Sequence, residues 1–260
     1  MSYNTFDDYF WEGQNCMRNI LGIHNQIELD DAVYSFAYAR TIEIEKIGLP
    51  APSFDGEGLK AMHKHLFQDC YEWAGEYREC PMGRNMQYAE PGDIAPRIAE
   101  LCSEFKRDFL DAKFENTSAM GDSLADYWAR LNAIHPFRDG NGRSQFAFFD
   151  AACRSKGFEL DISAKDIRNL RLARDAASEG QPRLLAAILG RSLAVCDEDL
   201  AARNIGVEDE PEPAPVPEKS AATAAVPEKK GLFAKLKSMI SGSDSGRDRD
   251  RSDSDGYDGR

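Results

Sequence analysis

The sequence predicts a mainly α-helical domain over residues 1–205, followed over residues 206–260 by a disordered acidic, Pro-rich tail. Three features predict it. Apolar residues recur at the 3.6-residue helical period in seven successive segments between residues 32 and 196. One stretch, YRECPMGRNMQYAEPG at 77–92, lacks that period and closes on Pro-Gly, as a short hairpin or extended loop does. After residue 205 the composition turns to VEDEPEPAPVPEKSAATAAVPEKK, which holds too little apolar surface to offset the entropy of ordering it.

Ala32, Val33, Phe36, Ala37, Arg40 and Ile44 mark the first helix, broken at Leu49-Pro50-Ala51-Pro52. Leu59, Met62, His63, Leu66, Phe67, Cys70 and Trp73 mark a second, ended before Gly75. Ile94, Ile98, Leu101, Cys102, Phe105 and Phe109 mark a third. Leu124, Tyr127, Trp128, Leu131 and Ile134 mark a fourth, with Asp122 or Ser123 as its N-cap. A fifth runs from Gly142 to Lys156, with Gly157 to end it. Two more follow near 164–177 and 182–196, the second opened by Pro182 in its first turn. No period of 20–50 residues repeats, which excludes a solenoid. In the tail, Leu232, Phe233, Leu236, Met239 and Ile240 share one helical face within 231–240, with Lys235 and Lys237 off it. A short basic amphipathic helix of this kind docks on a membrane surface or in a partner's groove, or stays transient because it is so short.

Composition narrows the class of protein. A formal net charge of −13 argues against a nucleic-acid partner. No apolar run approaches the roughly 20 residues of a membrane span, and MSYNTFDDYF lacks the features of a secretion signal. Six scattered cysteines without a CxxC pair, and four histidines, make no zinc pattern; reduced thiols in a cytoplasm fit best.

The chemistry concentrates between the fourth and fifth helices, in Ile134-His135-Pro136-Phe137-Arg138-Asp139-Gly140-Asn141-Gly142-Arg143. A Gly-Asn-Gly turn that opens a helix gathers backbone N–H groups at the positive end of the helix dipole, an anion site suited to phosphate. Arg143 adds a guanidinium matched to phosphate oxygens. Asp139 offers the hard oxygen that a magnesium ion on phosphates needs. His135 can take a proton near neutral pH. Together they point to a phosphate-containing substrate and to removal of a proton from an attacking hydroxyl.

HPFRDGNGR resembles the signature of the Fic family (Fic/Doc, the Fido fold). The resemblance extends to LKAMHKHLFQDCYEWAGEYR at 59–78, with Trp73-Ala74-Gly75 and Arg78, to MQYAEPGDI at 86–94, and to the pattern near Gly180-Gln181-Pro182. It covers roughly residues 15–200 and implies a Fido-type helical bundle with a small β-hairpin flap. It also implies a protein nucleotidyltransferase that moves AMP from ATP, with Mg2+, to a Tyr, Ser or Thr hydroxyl of a target protein. On that resemblance His135 is the base, Phe137 anchors the loop, Asp139 holds magnesium, and Gly140, Asn141 and Gly142 form the anion hole. Arg143 contacts the nucleotide's phosphates, and the flap residues Arg84, Asn85, Met86, Gln87 and Tyr88 hold the target by strand-like pairing. Kinases of the family resemble a pattern with Lys at the place of Gly142, and phosphocholine transferases one with Ala at the place of Gly140; Gly at both implies nucleotidyl transfer.

The family pattern usually continues to a second Arg, associated with the γ-phosphate, where this chain has Phe146. Two alternatives therefore stand beside AMP transfer: a non-catalytic binding module, or a transferase with another donor, UTP or a CDP-alcohol. If AMP transfer is kept instead, Phe146 packs in the core with Phe149 and another cation, Arg84 or Arg138, takes the place of the second Arg. Thr41-Ile42-Glu43-Ile44-Glu45 matches five positions of the family's inhibitory pattern, but Lys46 occupies the sixth. Inhibition by a separate small antitoxin protein is the remaining expectation, in a toxin or a delivered effector.

Overall fold

A computed structural model describes residues 5–47, 53–82 and 88–205. The tail with its segment 231–240, the break at 49–52 and the flap residues Arg84 to Gln87 lie outside the described residues.

The described chain is mostly helical. A 3-10 turn, Phe6–Tyr9, precedes α1 (Gln26–Ile47), α2 (Gly56–Phe67) and α3 (Pro91–Phe105), which runs on into one π turn, Lys106–Leu110. Next come α4 (Thr117–Ile134), α5 (Asn141–Arg154), β1 (Phe158–Leu160), α6 (Ala164–Ser178), α7 (Arg183–Ser192), β2 (Leu193–Val195) and α8 (Glu198–Asn204). The two strands pair antiparallel, Glu159 opposite Ala194. Helix α4 lies at the centre, against α3, α5, α6 and α7. Its buried residues, among them Leu124, Trp128, Leu131 and Ile134, anchor a core that extends from α3 to α8. A second core gathers Tyr9, Leu29, Val33, Phe67, Cys70, Tyr71 and Trp73 from the N-terminal segment, α1, α2 and the turns after α2.

Three boundaries differ from the periodic reading. Helix α4 begins at Asn116, whose side chain accepts from the Ala119 N–H, rather than at Asp122 or Ser123. The backbones of α4 and α7 touch in its first turns, where Gly121 is required: a Cβ on Gly121 would lie 2.5 Å from Gly190 Cα. Helix α2 stops at Phe67, although Cys70 and Trp73 keep its spacing; both are buried in turns, and the Cys70 carbonyl accepts from the Ile20 N–H at 3.0 Å. Helix α7 stops at Ser192, and 193–195 is a strand. The flap segment shows no strand among its described residues, 77–82 and 88–90; the one described sheet is that of β1 and β2.

Candidate active site

The loop 135–140 joins α4 to α5. Helix α4 ends in His135, whose left-handed backbone (φ 51°, ψ 64°) lets its N–H bond the Leu131 carbonyl at 3.1 Å. A side chain with a Cβ pays roughly 1–2 kcal/mol for that conformation, a strain that recurs at functional sites. The carbonyls exposed at the helix end converge on Arg78, which is 1% exposed. Its Nε donates to His135 O at 2.8 Å, its Nη2 to Ile134 O at 3.3 Å, and its backbone N–H to Pro136 O at 2.9 Å. The same guanidinium donates to Cys80 O and Ala89 O, the two stems of the flap. One buried arginine thus ties the flap's base to the loop.

Two further side chains set the loop's shape. The Nδ1 of His63 accepts from the Gly75 N–H at 2.9 Å, so Nε2 carries the proton and donates to the Asp139 carbonyl at 2.9 Å. Its ring stacks on Phe137 at 3.8 Å, and burial lowers its pKa to about 4. Asn141 spends its side chain on Phe137, accepting from N–H at 3.0 Å and donating to C=O at 2.7 Å. What Asn141 offers an anion is therefore its backbone.

Gly140 caps α5 with φ +78°, and a Cβ there would strike the Phe67 ring at 2.5 Å, so the position requires glycine. The N–H groups of Asn141, Gly142 and Arg143 form the first turn of α5, where no intrahelical carbonyl is within reach, at the positive end of the dipole. Arg143 pairs with Asp139 at 3.0 Å and lies over the Phe67 ring at 4.5 Å. His135, 8% exposed, stacks on Tyr88 with centroids 4.0 Å apart. Burial first, then the charges of Arg174 and Arg78, push its pKa down to about 3, so the imidazole is neutral and able to accept a proton at pH 7.

The structure thus brings His135, Asp139, Gly140, Asn141, Gly142, Arg143 and Tyr88 together. Phe146 is fully buried, edge-on to Trp128 and in one core with Phe149. Arg138 does not replace a cation there: its guanidinium lies over Phe6 at 4.1 Å, with Phe10 and Tyr9 beside it. Among the described residues no group of three or more His, Cys, Asp or Glu side chains could hold a metal. A single carboxylate such as Asp139 fits magnesium whose other ligands are phosphate and water. Sequence reasoning passed over His63 and Arg174; the signal for His63 was a histidine in the apolar stripe of an amphipathic helix.

Known proteins bear on this arrangement. The sequence pattern of the Fic/DOC family matches residues 53–153. A Sinorhizobium fredii protein named "Probable protein adenylyltransferase y4lH" is 34% identical over 194 residues, 74% of this chain and 98% of its own. "Protein adenylyltransferase VbhT" of Bartonella schoenbuchensis is 31% identical over 72% of this chain and 39% of its own. In fold, the chain is similar to the Bartonella tribocorum effector BepC, crystallised with AMPPNP, at TM-score 0.64 and 19% identity, over 73% of this chain and 97% of that one. No described helix is long and apolar enough to cross a membrane. With a third of its aligned positions shared along almost the whole of the Sinorhizobium relative, this chain belongs to the Fic/DOC family.

Proposed function

We propose that the chain is a protein adenylyltransferase, which moves AMP from ATP to the hydroxyl of a Tyr, Ser or Thr on a target protein. The observation that carries this reading is a neutral, buried His135 at the end of α4, next to the helix N-terminus where phosphates would sit. His135 takes the hydroxyl proton as the oxygen attacks the α-phosphorus; the bond to pyrophosphate breaks, and the target leaves carrying AMP. The amides of Asn141, Gly142 and Arg143 and the Arg143 guanidinium stabilise the charge that develops on the phosphoryl oxygens. Asp139 would hold Mg2+, which when bound neutralises phosphate charge. The name shared by the relatives supports AMP as the transferred group.

Residues 1–205 act as the catalytic domain and 206–260 as a tail, with 231–240 the part able to touch a membrane or partner. Arg84, Asn85, Met86, Gln87 and Tyr88 hold the target segment. The protein works in a cytoplasm, as a toxin held by a small antitoxin or as a delivered effector. The buried, uncharged Phe146 keeps a second reading in play, transfer from UTP or a CDP-alcohol. Purified protein and lysate incubated with magnesium and α-labelled ATP, UTP, GTP or CTP, and in parallel with a CDP-alcohol labelled in its alcohol, test both. Label from ATP that vanishes with His135→Ala is the expected result; label from another nucleotide alone sinks the choice of ATP, and none from any donor sinks nucleotidyl transfer.

A further inference from the structure

Helix α5 brings one cation to its own first turn, Arg143, and that cation is already paired with Asp139 at 3.0 Å. One turn on, Phe146 faces the core. A second guanidinium nevertheless reaches the same turn from another element. Arg174 on α6 is 7% exposed, and a Cβ built on Gly142 would lie 2.7 Å from its Nη1 and 3.2 Å from its Nη2. It therefore lies against the peptide whose N–H opens toward an anion. Its backbone is held there by α4: Asn132 Nδ2 donates to Ser178 Oγ at 3.0 Å, and Ser178 Oγ reaches Ala129 O at 3.0 Å, one turn along from Arg174.

Resting on the reading of this site as a nucleotide site, we propose that Arg174 is a second phosphate-binding cation, supplied from α6 rather than from the motif. A planar guanidinium placed beside first-turn amides can take two oxygens of a polyphosphate in parallel, which a point charge cannot. The absence of a side chain at Gly142 is what admits it. The same charge also acts on His135, lowering its pKa.

A cation in contact with the phosphate chain gains more from ATP than from AMP, because ATP carries more charge; a residue that only packs α6 on α4 does not distinguish them. Calorimetric titration of the full chain with ATP and with AMP, without magnesium so that no turnover occurs, separates the two. Arg174→Met should weaken ATP about tenfold or more and AMP far less, and Arg174→Lys should restore part of the preference. Arg174→Gln, which keeps the stem and a hydrogen-bonding end, gives the same readout if the Met variant does not fold. An ATP-to-AMP ratio unchanged in a folded Met or Gln variant, whether both affinities fall or neither, overturns the proposal. Wild-type protein that binds neither nucleotide overturns the nucleotide reading itself.

Discussion

His135 bears two costs that a helix end ordinarily avoids, a left-handed backbone and an imidazole cut off from water. Each makes chemical sense for a base that must be aimed and unprotonated. A pKa of about 3 makes for a weak base, however, and phosphates bound at α5 would correct it: negative charge near the ring favours the imidazolium and raises its proton affinity. The His135 ring resonances, followed by NMR between pH 3 and 8, should titrate near the low value without nucleotide and about one pH unit or more higher with ATP. A midpoint indifferent to ATP would put the phosphates elsewhere. The residues proposed for this chemistry were legible because they are contiguous, His135 to Arg143. Those that hold them were not. Arg78 is 57 residues from the His135 carbonyl it binds, and His63 is 76 from that of Asp139, so no local pattern announces either.

Helix α4 meets α7 through two glycines, and the contact is lopsided. A methyl on Gly121 would sit 2.5 Å from the Gly190 backbone, whereas one on Gly190 would meet Ser118 Cα at an ordinary 3.4 Å. Gly121→Ala must push two helices apart and should cost about 1–3 kcal/mol. Gly190→Ala gains helix propensity without a clash and should be neutral or stabilising by up to about 1 kcal/mol. Urea denaturation midpoints, compared at equal m, decide it; equal effects would refute the close approach. This contact also explains what periodicity could not read. Large apolar residues at helical spacing announced α1 to α7, but the start of α4 holds a single large one, Met120, among small and polar residues. Strands β1 and β2, three residues each, are too short for a period-2 signal and exist only by pairing with each other. Helix α8 was missed for a similar reason: its one buried residue is Ala201, and it is fixed by an Asp197 cap and by buried Lys156, which donates to Asn204 Oδ1 at 2.8 Å.

Across the whole molecule the motif loop lies where the two cores adjoin, Phe137 in one and Phe67 of the other against Gly140. Both neutral histidines belong to that seam, so its integrity and the protein's stability depend on pH together. An unfolded histidine takes its proton near pH 6.5. Folded His63 and His135 refuse theirs down to about 4 and about 3. Between those limits the unfolded chain binds more protons than the folded one, so stability is complete above pH 6.5 and falls as the pH is lowered. Each histidine contributes a slope of about 1.4 kcal/mol per pH unit inside its window. The carboxylates held low by arginine partners, Asp69 beside Arg40 and Asp166 beside Arg191, add their loss only at more acid pH. Stability measured by urea denaturation from pH 7 to 4.5 should therefore drop steeply before those carboxylates protonate. His63→Gln should start less stable, having lost its fit between Gly75 and Asp139, yet decline more gently, its slope reduced by about 1.4 kcal/mol per pH unit. A variant as steep as wild type would mean that His63 is protonated in the folded protein, and that the Asp139 carbonyl is held by an imidazolium rather than by a neutral ring.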